Sequence, residues 1–432
     1  MADDSFCFVH AADLHLDTPF TGIGRVSAGV AQVLREASLQ AFDTIVDLAL
    51  ARTAAFVLFA GDIYDGAQRG LRAQLRFREG LARLAEAGIP SFVVHGNHDP
   101  LDTGWSAIRE WPEKVTVFGT TDARVVPVAR EGRTIATVQG VSYATPATTE
   151  NLALRLRRPD HSGVLHVGLL HCAVEGASTG HESYSPCSLG DLHSTGLDYL
   201  ALGHVHRHAV LSSGPGLATV VYAGTSQARS VRPGELGAKG AVVVHVSDAA
   251  VREVEFVACD AVRFDLVDVD IAPCEDLGAL LDELEARGRD RAGEADGRSL
   301  VLRGRLVGRG AVHGDLRRQG SIDQLLDTLR SRAASAPPLV WWDALEDRSG
   351  LPVAREEIRG RGDFAADLVT LADEVLSDPL EAARLVEEGT AGTPPRALAT
   401  RLGELLADGA ALVGLVDEAV DAALDALESG AP

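Results

Sequence analysis

The sequence predicts an α/β protein, and three observations carry that reading. Apolar strand-like runs alternate with helical stretches over residues 6–95, the order of a mostly parallel sheet. Five short polar motifs each stand at the carboxyl end of an apolar run, where open α/β sheets place their ligands. A later series of apolar runs, separated by short connections, predicts a second sheet stacked on the first.

Taken in order, residues 6–11 form a strand that ends at Asp13-Leu14-His15. Residues 32–51 carry the periodicity of an amphipathic helix, and 54–60 form a second strand ending at Gly61-Asp62. A helix over 71–87 is stopped by Gly88 and Pro90, and a third strand over 91–95 ends at Gly96-Asn97-His98-Asp99. Later strands are expected over 164–170, 199–202, 219–222, 241–246 and 251–257. Their short connections suggest a meander rather than crossovers. The end of this series sets a first domain at 1–260. Residues 261–345 read as a small α/β module, with strands over 264–271 and 299–307, helices over 277–286 and 322–331, and Pro337-Pro338 ahead of a last strand. Residues 346–432 are rich in Ala, Leu and Glu with helical periodicity, interrupted at Thr393-Pro394-Pro395, and predict a helical tail.

The 432 residues exceed one ordinary core, and 46% hydrophobic content is ample for burial. The formal net charge of −22 counts against a surface coated for nucleic acid. Bound cations would add positive charge that formal counting omits. The five cysteines, Cys7, Cys172, Cys187, Cys259 and Cys274, are odd in number and irregular in spacing, which predicts reduced thiols rather than a disulfide framework. The acidic start Met-Ala-Asp-Asp does not resemble a secretory signal, and no apolar run approaches the ~20 residues of a membrane span. A cytoplasmic protein with no membrane partner is the expectation.

The motifs carry the chemistry. In an extended segment residues i and i+2 share a side, so Asp13 and His15 can reach one metal. The carboxylate of Asp62 can bridge two cations about 3.5–4 Å apart. Asn97 offers a neutral oxygen ligand, and the adjacent His98 can face a substrate. His171, alone after its strand, reads by itself as a structural histidine, whereas Gly203-His204-Val205-His206 places two imidazoles at i and i+2. The donor set is mixed nitrogen and oxygen without thiolate, which favours Mn, Fe or Zn over a structural zinc-cysteine site.

With these motifs the sequence resembles the calcineurin-like metallophosphoesterases. More narrowly it resembles the SbcD-like DNA repair exonucleases and their YhaO-like group. The narrower likeness rests on the strings from His10 to Phe20, Ser183-Tyr184-Ser185-Pro186, Asp198 to His206, and Glu235-Leu236-Gly237-Ala238-Lys239-Gly240. The resemblance implies a four-layer αββα sandwich and two divalent metals, most simply Mn. It implies that Asp13, His15 and His206 hold one metal, that Asn97, His171 and His204 hold the other, and that Asp62 bridges them. His98 would act on the scissile phosphate, with Asp65 and Asp99 orienting such rings. It further implies DNA as substrate, with a coiled-coil ATPase of the SbcC type or a second copy of the chain as possible partners. The chain departs from the family at Ala223, Cys172 and Leu200, where Pro, a polar residue and Trp are common, and none of these is a ligand.

Two other functions stay open at this stage: a phosphatase or cyclic-nucleotide phosphodiesterase with the same metals, and a silent DNA-binding or structural subunit. The remaining histidines read as structural or solvated, and Trp341-Trp342 as packing. Arg155, Arg157 and Arg158 are the densest basic cluster, with a solvated surface the better reading.

Overall fold

The computed structural model describes residues 5–18, 28–66, 70–102, 106–176, 184–332, 338–350, 352, 355–389 and 409–428. Pro19, Phe20, Ser183, Pro337 and Thr393-Pro394-Pro395 lie outside them. The chain divides into two compact units: Met1–Leu266 with Arg291–Leu302 and Ala333–Asp343, and Val267–Asp290 with Arg303–Arg332 and Ala344–Pro432.

In the first unit, strands β1 (Phe6–Ala11), β2 (Val57–Ala60), β3 (Ser91–Val94) and β4 (Val115–Val117) pair in parallel. The connections carry helices α1 (Ala28–Ala51) and α2 (Leu71–Glu86). A second sheet contains β5 (Val126–Arg130), β6 (Arg133–Gly140), β7 (Leu165–His171), β8 (Tyr199–Gly203), β9 (Ala209–Ser212) and β10 (Thr219–Tyr222), in the order β5-β6-β7-β8-β10-β9. The hairpin β11 (Gly240–Ser247) and β12 (Ala250–Ala258) returns to the first sheet, where β11 lies antiparallel to β1.

Strand alternation sorts the apolar residues into layers. Phe8, Leu58 and Phe92 face Val138, Val167, Tyr199 and Val221 across the gap between the sheets. Val9 and Phe59 point the other way, against Phe42, Ile45, Phe77 and Leu81 of α1 and α2. On the far face of the second sheet, Leu170, Leu202 and Tyr222 pack with Leu152 and with Leu192 of the short helix α3 (Leu189–Ser194). The result is helix, sheet, sheet, helix, as the resemblance implies.

The meander expected of the later strands holds for the hairpin β11–β12, which joins the first sheet rather than the second, but not for β7, β8 and β10. β7, β8 and β10 run parallel and are linked by crossovers, with antiparallel pairs only at the sheet's edges. Their crossovers contain little regular helix, so the sequence offers no helical period to mark them. Strands β4, β5 and β6 were not foreseen. β5 buries only Val128, so it presents a weak apolar pattern. The β5–β6 turn is made by Glu131 (φ 53°) and Gly132 (φ 78°), the two positive φ values of a tight hairpin.

Beyond β12, strands β13 (Val262–Asp270), β14 (Ser299–Val307) and β15 (Val340–Asp347) form a third sheet in that order. Helices α4 (Leu277–Gly293), α5 (His313–Leu316) and α6 (Ser321–Arg332) lie between these strands in sequence. In the second unit, α7 (Arg355–Arg359), α8 (Phe364–Ser377), α9 (Pro379–Gly389) and α10 (Gly409–Glu428) close around Ile358, Val369, Ala382, Leu412, Val416 and Leu424. No helix among the described residues is long and apolar enough to cross a membrane.

The α1–α2 contact is close because Gly80 has no side chain. A Cβ there would lie 2.5 Å from the buried Phe42 ring. Alanine normally stabilises a helix interior by ~1 kcal/mol over glycine. Gly80→Ala should instead destabilise by about 1–3 kcal/mol through overpacking, read as a lower midpoint in urea unfolding. A raised midpoint would show that the two helices are free to separate.

Candidate metal centre

The site begins where β1 and β2 end. The backbone N–H groups of Asp13, His15 and Leu16 donate to the carbonyls of Gly61, Asp62 and Ile63 at 3.1, 3.0 and 2.9 Å. The two chain segments therefore leave the sheet side by side. Asp13 (φ 49°), His15 (φ 41°) and Asp62 (φ 51°) all sit in the left-handed region. That region is uncommon for residues with a side chain and costs on the order of 1–3 kcal/mol at each. The expectation that Asp13 and His15 share a face as extended i, i+2 residues is thus corrected: left-handed turns deliver both side chains. His204, after β8, also has positive φ (103°).

His171, the last residue of β7, is fully buried. Its Nδ1 donates to the carbonyl of Ala60 at 2.9 Å. That leaves Nε2, which lies 3.0 Å from Asn97 Oδ1 and 3.3 Å from Asp62 Oδ2. Glycines make the space. A Cβ on Gly61 would come within 2.5 Å of His171 Nδ1, one on Gly96 within 2.3 Å of Asp62 Oδ1, and one on Gly203 within 1.9 Å of the Ala60 oxygen.

Three sets of donor atoms converge, all atoms within a set lying within 4.8 Å of one another: Asp13, His15 and His206; Asp13, Asp62 and His171; and His15, Asp65 and His98. The Nε2 atoms of His15 and His206 face each other at 3.3 Å. Two nitrogens that each bind one ion at about 2.0–2.1 Å stand about that far apart. Asp13 belongs to both of the first two sets, and Asp62 Oδ2, in the second, lies 4.0 Å from His15 Nε2 in the first. His204 belongs to none of the three. Its backbone N–H donates to Asp13 Oδ1 at 3.0 Å, and its ring meets that of His171 edge-on at 5.3 Å.

Burial and charge oppose each other here. Burial pushes the Asp13 carboxyl up. Burial also opposes ionisation of Asp62, but the neighbouring His171 outweighs it and holds that carboxyl well below the usual range. In turn burial disfavours the His171 cation, while Asp62 draws it up to about 9. His15 is held well below its ordinary value by burial first and Arg229 second. Buried carboxylates beside imidazoles, with an amide oxygen and no thiolate, are a donor set that fits divalent cations.

His98 is the more open member, its side chain 41% exposed. Its backbone N–H donates to Asp62 Oδ1 at 3.0 Å, and its Nδ1 pairs with Asp65 Oδ1 at 2.6 Å. The Asp65 hydrogen bond raises His98 against the effect of burial. Asp99 stands on another histidine ring, that of His95. It pairs with His95 Nδ1 at 2.9 Å and accepts from the backbone N–H groups of Gly96 and Ile63, tying two site loops together.

Sequence reasoning missed Arg229, whose guanidinium reaches Asp65 Oδ2 at 2.8 Å, and Thr225, whose hydroxyl donates to the Asp13 carbonyl at 2.7 Å. Glu235 stands in one of the strings that carry the resemblance with no role implied for it, and its Oε1 lies 3.3 Å from His206 Nδ1. In the basic cluster, Arg155 is engaged by Glu150 and the Thr120 carbonyl, Arg157 by the Leu156 carbonyl, and Arg158 by Asp198.

Residues 7–208 match the model of the calcineurin-like phosphoesterases, and residues 264–350 match that of the metallophosphoesterase YhaO middle domain. The uncharacterized metallophosphoesterase YhaO of Bacillus subtilis (strain 168) is 35% identical over 344 residues, 79% of this chain and 81% of that protein. The DNA double-strand break repair protein Mre11 of Aeropyrum pernix is 25% identical over 224 residues, 48% of this chain and 50% of that protein. Mre11 of Methanococcus maripaludis is 32% identical over 92 residues, 21% and 23% of the two chains. Among solved structures, a dimetal phosphatase from Danio rerio aligns with 56% of this chain and 93% of its own at 12% identity, with a TM-score of 0.35. The motifs, the sandwich and the long match to YhaO agree: the chain belongs to the YhaO group of the calcineurin-like metallophosphoesterases, hydrolases of phosphoric esters.

Proposed function

We propose that this hydrolase cuts DNA phosphodiester bonds as an exonuclease in DNA repair, using two Mn²⁺ ions. The observation that carries the chemistry is His98, exposed at the edge of the buried donor cluster with its Nδ1 held by Asp65 at 2.6 Å. The likeness to Mre11, a DNA double-strand break repair protein, supports the substrate.

Asp13, His15 and His206 would hold one ion and Asn97, His171 and His204 the other, and Asp62, whose Oδ2 lies 3.3 Å from His171 Nε2 and 4.0 Å from His15 Nε2, would touch both. When bound, such a pair lowers the pKa of water toward neutrality and offsets charge on the phosphate. His98, with Nδ1 engaged by Asp65, keeps Nε2 to give a proton to the departing oxygen. Asp65 fixes the ring for that transfer. The peptide N–H of His98 keeps the Asp62 carboxylate in place. An SbcC-like coiled-coil ATPase or a second copy of the chain would add the grip on DNA that a net charge of −22 does not supply.

A second reading has its own support. The net charge, and the internal partners of Arg155, Arg157 and Arg158, suit a small phosphoester better than a polymer.

Linear duplex and single-stranded DNA, with bis-p-nitrophenyl phosphate alongside, separate the two. In Mn²⁺ the full chain should shorten DNA from its ends, and EDTA should abolish this. If the small diester is cut and DNA is not, the second reading replaces the first. Asp62→Asn and His98→Ala should each lower the rate by about 10²–10⁴-fold. His98→Ala should cost less on the p-nitrophenyl ester, whose leaving group needs no proton. An equal loss on both substrates would remove His98 from the role of proton donor.

A further inference from the structure

The string that begins at Glu235 has no place in the chemistry above, yet Glu235 is only 8% exposed. A single turn of 3-10 helix, Pro233–Glu235, places it, and Lys239 Nζ donates to the Gly234 carbonyl at 2.8 Å to hold that turn. Its carboxylate works in two directions. Oε1 faces His206 Nδ1 at 3.3 Å, while Oε2 accepts from the backbone N–H groups of Arg229 at 2.6 Å and Ser230 at 2.9 Å. The Arg229 guanidinium then donates to Asp65 Oδ2 at 2.8 Å, and Asp65 Oδ1 meets His98 Nδ1 at 2.6 Å. One loop therefore reaches both sides of the site: His206 in the donor cluster directly, and His98 at its open edge through Asp65.

We propose that Glu235 and Arg229 are positioning residues that couple the metal-holding side of the site to its proton-donating side. The proposal rests on the roles given above to His206 and His98. A carboxylate on Nδ1 fixes the tautomer of an imidazole and directs Nε2 at the ion. Glu235 stands so to His206. Arg229 occupies the second oxygen of Asp65, so that carboxylate cannot turn away from His98, and a planar guanidinium holds such a direction better than an ammonium does. Because Glu235 also holds the Arg229 backbone, a change at Glu235 reaches both histidines.

The test uses the full chain. Mn²⁺ titration should show affinity lowered about 10–100-fold in Glu235→Gln and nearly unchanged in Arg229→Gln. At saturating Mn²⁺, Arg229→Gln should lower kcat by about 10–100-fold on a diester with a poor leaving group such as DNA, with KM nearly constant, and by less on bis-p-nitrophenyl phosphate. Arg229→Lys should recover part of that loss. In an Asp65→Asn background, Arg229→Gln should cost almost nothing more, because the two act through one bond. Unchanged Mn²⁺ affinity in Glu235→Gln would overturn the proposal. So would losses that multiply between Arg229→Gln and Asp65→Asn, as they do for independent groups. If the parent chain cuts no diester, the hydrolytic roles fail separately. The proposal is then decided by the Mn²⁺ affinity of Glu235→Gln, and by whether Arg229→Gln shifts the His98 ring nitrogens in long-range proton–nitrogen NMR spectra of the Zn²⁺-loaded chain.

Discussion

The arrangement depends on one steric fact: a fully buried imidazole, that of His171, fills a space that three glycines leave open. Gly61 and Gly96 each follow a strand of the first sheet, and Gly203 ends a strand of the second. Their missing side chains let the two sheets close at this edge until a Cβ on Gly203 would strike the Ala60 carbonyl. The same carbonyl accepts the His171 Nδ1 proton, so one atom sets both the approach of the sheets and the direction of the ring. The left-handed backbone at Asp13, His15 and Asp62 brings the other donors to that point. A strained backbone of this kind persists only where the surroundings over-determine it. Here the paired hydrogen bonds between the two segments leaving β1 and β2 do so.

The electrostatics follow from that closure. Asp13 and Asp62 are removed from water together, and a buried charge is tolerated only when it is paired. The imidazoles pair with them in part, at the cost of drawing His171 far above its ordinary value. Divalent cations answer the same demand more completely, since each can take several of these donors at once. The outer part of the site is organised differently. His98, Asp65 and Arg229 form an alternating series of base, acid and base that is half open to solvent.

Much of this is legible in the sequence because strand ends are. The run Phe6–Ala11 is the strand the apolar pattern marks, and each polar motif lies at or just past the end of a strand. Asp65 pairs with His98 as expected of an orienting carboxylate. What the sequence hides has physical reasons. Left-handed φ at Asp13 and His15 is set by pairing with a segment some fifty residues away, which no local spacing reports. Asp99 looks like Asp65 in its motif, but it is fully buried and serves the His95 ring and two backbone N–H groups rather than His98. Arg229 reaches Asp65 across 164 positions of sequence, on a loop with no strand end to mark it. The crossovers of the second sheet carry too little helix to show a period, and for that reason β7, β8 and β10 look like a meander.

On the proposed reading, the glycine-lined gap and the left-handed strand ends build a cradle for two cations that would share Asp62. A crystal structure of the chain grown with Mn²⁺, with anomalous differences measured near the Mn edge, tests this most directly. Two peaks about 3.5–4 Å apart are expected, with the Asp62 carboxylate between them. One would lie beside His15 and His206, the other beside His171 and Asn97. A single peak, or two peaks that leave Asp62 untouched, would contradict it.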